Sequence, residues 1–327
     1  NSSYDEVRKL IDDALKLGNE NNFGHDFLKD FETRYQIKAR NPVSAGWEKI
    51  DSLTKNGLGM GELGVVIAPT GAGKSMVLAH LGAEAVKSGK NVVHYTLELS
   101  EAVTGQRYDS CISGVPLNFL FNQKDEVLEA ISDLGGSLII KEYPTKTAST
   151  NTIRNHLDRL KNKNQKVDMI LVDYADLLKS TSNFKEKRNE LESIYENLRA
   201  IAQEYKCPVW TASQTNRTGL NAEVVTMESI SEAFNKCFVA DFICSISRTV
   251  KDRNEKTGRL FIAKNRNGPD GLVFPIFMDT SNVKIRVLAK VDTPIISAAM
   301  SPDDLATALR DKYKQFRKHK REIPTGA

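Results

Sequence analysis

The sequence has no C-x-x-C pair and no cluster of cysteine with histidine. Its four cysteines, Cys111, Cys207, Cys237 and Cys244, are scattered. That spacing excludes a zinc ribbon or finger and predicts free thiols in a reducing compartment. No apolar run approaches the roughly 20 residues that cross a bilayer, and residues 1–6 carry no signal-peptide pattern. The expectation is a cytoplasmic protein with no membrane partner. Repeats and low-complexity segments are also missing, which excludes a solenoid. Nor is there a strong excess of one charge: the net value is +4, too small to announce a nucleic-acid partner by itself. A hydrophobic content of 40% with 27% charged residues is that of a globular chain able to bury a sizeable core. Because the chain opens on Asn1, a further domain before it stays open.

What is present is unevenly arranged. Val7, Leu10, Ile11, Ala14 and Leu15 repeat at i, i+3, i+4, i+7 and i+8, predicting an amphipathic helix over residues 1–18. A polar, Asn- and Gly-containing linker follows over 19–41. From residue 42 the pattern becomes apolar runs alternating with longer helical segments, predicting strands at 63–68, 92–97, 137–143, 169–174, 209–213, 242–247, 259–265 and 272–278. Runs such as Met-Ile-Leu-Val are apolar on both faces, as central parallel strands covered by helices require. The last runs lie close together with little room for helices, so they predict antiparallel strands at one edge. This compact region extends to about residue 290. A tail over 291–327 begins with a helix start at Ser301-Pro302-Asp303-Asp304 and holds a basic run at 312–321, either an anion-facing segment or a solvated tail.

The strongest local signal is Ala68-Pro69-Thr70-Gly71-Ala72-Gly73-Lys74-Ser75, placed between a strand and a helix starting near Lys74. With Met76 it forms a candidate nucleotide-binding loop. Gly71 and Gly73 let backbone N–H groups curl around phosphates, Lys74 reaches the β- and γ-phosphates, and Ser75 holds Mg²⁺. Ala68 replaces the usual first glycine, whereas the lysine, serine and adjoining glycines are intact. A chance glycine-rich turn is the competing reading. A magnesium site needs a carboxylate at a neighbouring strand end, and Asp173 after Met-Ile-Leu-Val supplies it. Hydrolysis also needs a group to activate water, for which Glu98 is the candidate. Gln214, closing another strand, is placed to sense the γ-phosphate. The order P-loop, Glu, Asp, Gln, each at a strand end, is that of RecA-like motors. The predicted fold class is therefore α/β, a RecA-like P-loop NTPase core with a mostly parallel, doubly wound sheet and antiparallel edge strands.

Six blocks, at 71–75, 95–101, 170–178, 212–217, 239–248 and 264–271, resemble in order and spacing those of DnaB-type hexameric replicative helicases. The likeness spans roughly residues 42–285, and the segment at 141–161 looks like the phage-encoded branch. The resemblance implies an ATPase that uses ATP and Mg²⁺, assembles as a hexameric ring and translocates 5′ to 3′ on single-stranded DNA to unwind duplex at a replication fork. It implies that Lys264 and Arg266 reach the neighbouring subunit's nucleotide, and that Arg107 couples Glu98 to it. It also places DNA contacts in two loops, with Lys179, Lys185, Lys187 and Arg188 in the first and Arg217 and Lys236 in the second. Ser231-Glu232-Ala233-Phe234 departs from the bacterial Arg-Glu-Ser-Gly run there, which puts the second loop's side chains in doubt. The N-terminal helix resembles the linker helix that such proteins dock on an adjacent subunit. Primase and a helicase loader are the further partners implied, though the helical domain that usually precedes the linker is not visible here. Two other readings stay open: a RadA/RecA-like recombination ATPase, whose usual zinc-binding start and protease-like end are not visible, and a KaiC-like switch ATPase.

Overall fold

The structure is a computed structural model and describes residues 24–36, 40–182, 186–215 and 237–288, together with Val7 and Ile11. Two compact units divide the chain, Asn1–Arg40 and Asn41–Ala327. In the first, Val7 and Ile11 are helical and half-exposed, and a short helix α1 runs over Phe31–Gln36. The remaining residues of the expected 1–18 helix lie outside the described residues. So do Lys185, Arg217, Lys236, the 231–234 departure and the whole tail, including 301–304 and 312–321.

The second unit is built on a nine-stranded sheet with β1 Leu63–Ala68, β2 Asn91–Thr96, β3 Ser137–Glu142, β4 Met169–Asp173, β5 Val209–Gln214, β6 Phe242–Ser247, β7 Thr257–Asn265, β8 Val273–Asp279 and β9 Lys284–Val287. The order is β3-β2-β4-β5-β1-β6-β7-β8-β9. Strands β3 through β6 in that order run parallel, and β6 to β9 continue as an antiparallel meander. All eight expected strands are present, and so is the antiparallel edge. The ninth, Lys-Ile-Arg-Val, was missed because four residues with two charges give too little alternation to stand out. A helix was not expected between β6 and β7, yet a six-residue one, Val250–Glu255, fits there.

The helices of this unit are α2 Glu48–Leu53, α3 Lys74–Lys87, α4 Glu101–Ser113, α5 Lys124–Ser132, α6 Thr150–Asn162, α7 Lys187–Glu204 and α8 Val250–Glu255. Side-chain alternation along the parallel strands divides the core into two layers. On one face Val66, Ala68 and Leu171 pack with Val77, Leu78 and Leu81 of α3. On the other, Val65, Ile67, Ile170 and Val172 pack with Ile153 and Leu157 of α6 and Leu198 and Ile201 of α7. These residues are buried on both sides of the sheet, which is why the runs read as continuously apolar. Each such side chain contributes about 1.5–3 kcal/mol. Local signals set the helix starts: Ser149 with Thr152 forms a capping box for α6, and Thr249 with Asp252 forms one for α8. The carboxyl ends of β2, β4, β5 and β1 thereby share one rim, the crevice where open α/β sheets bind ligands.

Candidate nucleotide-binding site

The loop 68–75 leaves β1 at that rim and enters α3. Gly71 and Gly73 both have positive φ, +72° and +103°, and a side chain at Gly73 would collide with Met278. Glycine at 73 is thus demanded twice, by backbone conformation and by space. It caps α3, whose first N–H groups and dipole make the loop a site for an anion. Lys74 is 8% exposed, and its ammonium lies inside the loop, donating to the carbonyls of Pro69 and Ala68 at 3.4 and 3.5 Å. It also sits over the ring of Tyr174, 5.5 Å from the centroid.

Asp173 ends β4 beside this loop and is almost wholly buried, with Oδ1 lacking a hydrogen-bond partner among the described residues. Burial pushes its carboxyl up to about 6; the Ser75 hydroxyl, which bonds to it, opposes the rise, Glu98 adds to it, and Arg107 and Lys74 oppose it. A carboxylate oxygen without a partner, next to a serine hydroxyl, is a donor set suited to a hard divalent cation. Glu98 is exposed in the turn after β2. That turn is pinned by Thr96, whose hydroxyl donates to the Leu99 carbonyl at 2.7 Å and accepts from the Leu99 N–H at 3.2 Å. Arg107, on α4, brings its guanidinium into the same field, since Asp173 and Glu98 both act on it electrostatically. Its Nη1 is buried without a partner among the described residues, and burial lowers its affinity for the proton.

Gln214 reaches across the rim to the loop itself. Its amide Nε2 donates to the Thr70 hydroxyl at 2.7 Å, its Oε1 accepts from the Tyr174 hydroxyl at 3.3 Å, and its backbone N–H donates to Asp176 at 3.3 Å. The end of β5 is therefore wired directly to the phosphate loop. Tyr174 and Asp176 were missed in the sequence, where they appear only as neighbours of Asp173 with nothing in their spacing to set them apart.

Lys264 and Arg266 are elsewhere. They lie at the end of β7, which pairs with the amino end of β6, where Ile243 opposes Lys264. Arg266 contacts Asp241 with Nη1 at 2.7 Å, and Asp241 in turn accepts from the N–H of Leu63, the first residue of β1. The pair thus sits at the opposite rim, separated from the loop by the length of β1, about 17 Å at 3.3 Å per residue. Lys264 donates to the Phe238 carbonyl at 2.6 Å and lies 4.3 Å from that ring's centroid. Lys179 is exposed beyond β4, and Lys187 and Arg188 are exposed in the first turn of α7.

Comparison with known proteins places this arrangement. The family described as the DnaB-like helicase C terminal domain matches residues 42–283, most of the chain. The chain belongs to that family. A DnaB-like replicative helicase of Enterobacteria phage T4 is 32% identical over 259 residues, covering 74% of this chain and 54% of the relative. The replicative DNA helicase DnaB of Mycoplasma genitalium is 27% identical over 253 residues, covering 71% and 53%. This DnaB-like chain spans about half the length of the curated relatives it matches. Among solved structures, a DnaB-like replicative helicase described with its interactions with primase superposes with a TM-score of 0.67 at 17% identity, covering 85% of this chain and 71% of the other. The likeness establishes the shared RecA-like fold.

Proposed function

We propose that this chain is the ATP-hydrolysing motor of a replicative DNA helicase, and that its catalytic sites form between subunits of a ring. The observation that carries the reading is the division of the site residues between two rims of one sheet. Lys74, Ser75, Glu98, Arg107, Asp173 and Gln214 surround the loop at the carboxyl rim, while Lys264 and Arg266 are anchored at the amino rim. An arginine side chain does not span that distance within one chain, so in this reading a second copy supplies it.

In this mechanism the loop N–H groups and Lys74 hold the phosphates, and Ser75 with Asp173 holds Mg²⁺. The ion, when bound, neutralises charge on the phosphate oxygens. Glu98 takes a proton from the attacking water, and Arg107 holds the glutamate in place. Arg266 from the adjacent subunit neutralises charge developing in the transition state, which makes hydrolysis in one subunit depend on the position of the next. Gln214, the last residue of β5, bonds to Thr70 within the loop, so a change at the phosphates is felt at the end of that strand. Lys179, Lys187 and Arg188, with Lys185, Arg217 and Lys236, are the cations proposed to hold a single DNA strand by its phosphates, without regard to sequence. Movement runs 5′ to 3′; primase is the partner that one similar structure suggests, and a loader is the further partner that the family resemblance implies.

The test is steady-state ATP hydrolysis with and without single-stranded DNA at one modest salt concentration, for the wild type, Glu98→Gln and Arg266→Ala. The expected result is strong stimulation by DNA, lost in both variants. A mixture of Lys74→Ala and Arg266→Ala proteins should regain part of the activity, because some interfaces then pair an intact loop with an intact finger. Unstimulated hydrolysis that survives Arg266→Ala would overturn the shared site.

A further inference from the structure

The helix α8 carries an arginine that the mechanism above does not use. Both terminal nitrogens of Arg253 face Gly71 at the tip of the phosphate loop: a Cβ built on Gly71 would lie 3.9 and 4.0 Å from Nη1 and Nη2. The contact is within one chain, which separates Arg253 from Arg266 at the far rim.

The surroundings of Arg253 leave its charge uncompensated. The adjacent carboxylate, Asp252, is fully engaged: it accepts from Thr249 N–H and hydroxyl at 2.8 and 2.7 Å, from Arg259 Nη1 at 2.7 Å and from the Thr257 hydroxyl at 3.0 Å. Among the described residues, Arg253 makes no ion pair and no side-chain hydrogen bond, and its side chain is exposed. The guanidinium of Arg248 lies close enough for the two like charges to repel. Arg248 is itself occupied, donating to the carbonyls of Thr257 and Met278 at 3.0 and 3.1 Å. So α8 is fastened down by Asp252 while the next residue, unpaired among the described residues, holds its guanidinium over the phosphate loop.

We infer that Arg253 is a phosphate ligand supplied in cis, closing the outer side of the loop over a bound nucleoside triphosphate. The proposal rests on the reading of residues 68–75 as a nucleotide site. A guanidinium presents a planar fork of donors that matches phosphate oxygens, and a like-charged neighbour makes an incoming anion more welcome. The loop N–H groups and Lys74 hold the phosphates from within the loop and from α3. Arg253 adds a contact from the hairpin of β6 and β7, on the opposite side of β1 from Gln214. The phosphates would then be gripped between two neighbours of β1, and binding would draw α8 and the loop together.

The experiment is equilibrium titration of the full chain with Mg·ATP carrying a fluorescent label, competed by unlabelled ATP and by inorganic tripolyphosphate, which has no base or sugar. Wild type, Arg253→Ala, Arg253→Lys and Lys74→Ala are compared. Arg253→Ala is expected to weaken ATP and tripolyphosphate alike, by about tenfold or more, with Arg253→Lys recovering much of the loss and the melting temperature of the free protein unchanged. Unchanged affinity in Arg253→Ala, where Lys74→Ala abolishes binding, overturns the proposal and leaves the loop's role standing. A loss confined to ATP, with tripolyphosphate unaffected, also overturns it by placing the guanidinium on the base or sugar. If the wild type binds neither ligand, the loop's role falls and the proposal with it.

Discussion

Arg266 meets Asp241 at 2.7 Å through Nη1, and the same carboxylate holds Arg199 by two bonds at 3.1 and 3.2 Å. The two arginines are not equivalent partners. Asp241 is 1% exposed and Arg199 24%, whereas Arg266 is 53% exposed. Removing Arg266 leaves the inner pair intact and loses only a solvent-screened contact, about 0–1 kcal/mol. Replacing Asp241 by alanine strands Arg199 and orphans the N–H of Leu63, and is expected to cost about 3–5 kcal/mol. Urea denaturation of Arg266→Ala and Asp241→Ala should therefore separate the two midpoints widely. Equal midpoints would mean that Asp241 serves Arg266 alone. The near-wild-type stability expected of Arg266→Ala is also what allows its loss of hydrolysis to be read as chemistry.

Glu98 is exposed and, among the described residues, makes no bond that fixes the fold, while the turn carrying it is held by Thr96. Glu98→Gln should therefore leave stability and ATP affinity near wild type and slow single-turnover hydrolysis by about 10²–10⁴-fold, the range of a general base. A loss of affinity without a loss of rate would move Glu98 from base to binding group.

The parallel strands were legible in the sequence because burial on both faces leaves no polar break in Leu63–Ala68 or Met169–Asp173. The residues at their carboxyl ends were legible for the same reason: Asp173 and Gln214 stand out as polar groups closing apolar runs. Tyr174 and Arg253 were not, since their meaning depends on what the rim brings opposite them. Tyr174 gains its role from Lys74 and Gln214, distant in the chain, and Arg253 from Gly71, reached only when β6 pairs with β1. The separation of Lys264 and Arg266 from the loop was equally hidden, because it follows from the antiparallel turn of β7 and not from spacing.

Gly73→Ala should be costly on two counts. A φ of +103° is unfavourable for any L side chain, and the added methyl would run into Met278. The expected loss is about 1–3 kcal/mol from the backbone and a similar amount from overpacking. Adding Met278→Ala should recover the packing part and not the backbone part, so the double variant is expected to melt between Gly73→Ala and wild type after correction for Met278→Ala alone. Additive losses would show that Met278 does not limit the space at the loop.

The acid limb of stability should be set in part by His80. It is 6% exposed, stacked on Trp47 with ring centroids 5.0 Å apart, and its Nε2 has no partner among the described residues. Burial, resisted by Glu84, lowers its pKa from 6.5 to about 4. The unfolded chain therefore binds a proton at His80 between these values while the folded chain does not. Stability from this residue is full above pH 6.5 and is lost as pH falls toward 4, by on the order of 3 kcal/mol at the low end. His94, lowered to about 3 by burial and then Arg107, acts in the same direction and extends the loss further into acid. Denaturant titrations at pH 7.5, 5.5 and 4.5 should show wild type losing stability steadily. His80→Gln should start lower at pH 7.5, because the stacking on Trp47 is weakened, and fall less steeply. Parallel curves for the two proteins would mean that His80 is protonated in the folded state as readily as in the unfolded one, and that its burial exacts no electrostatic cost.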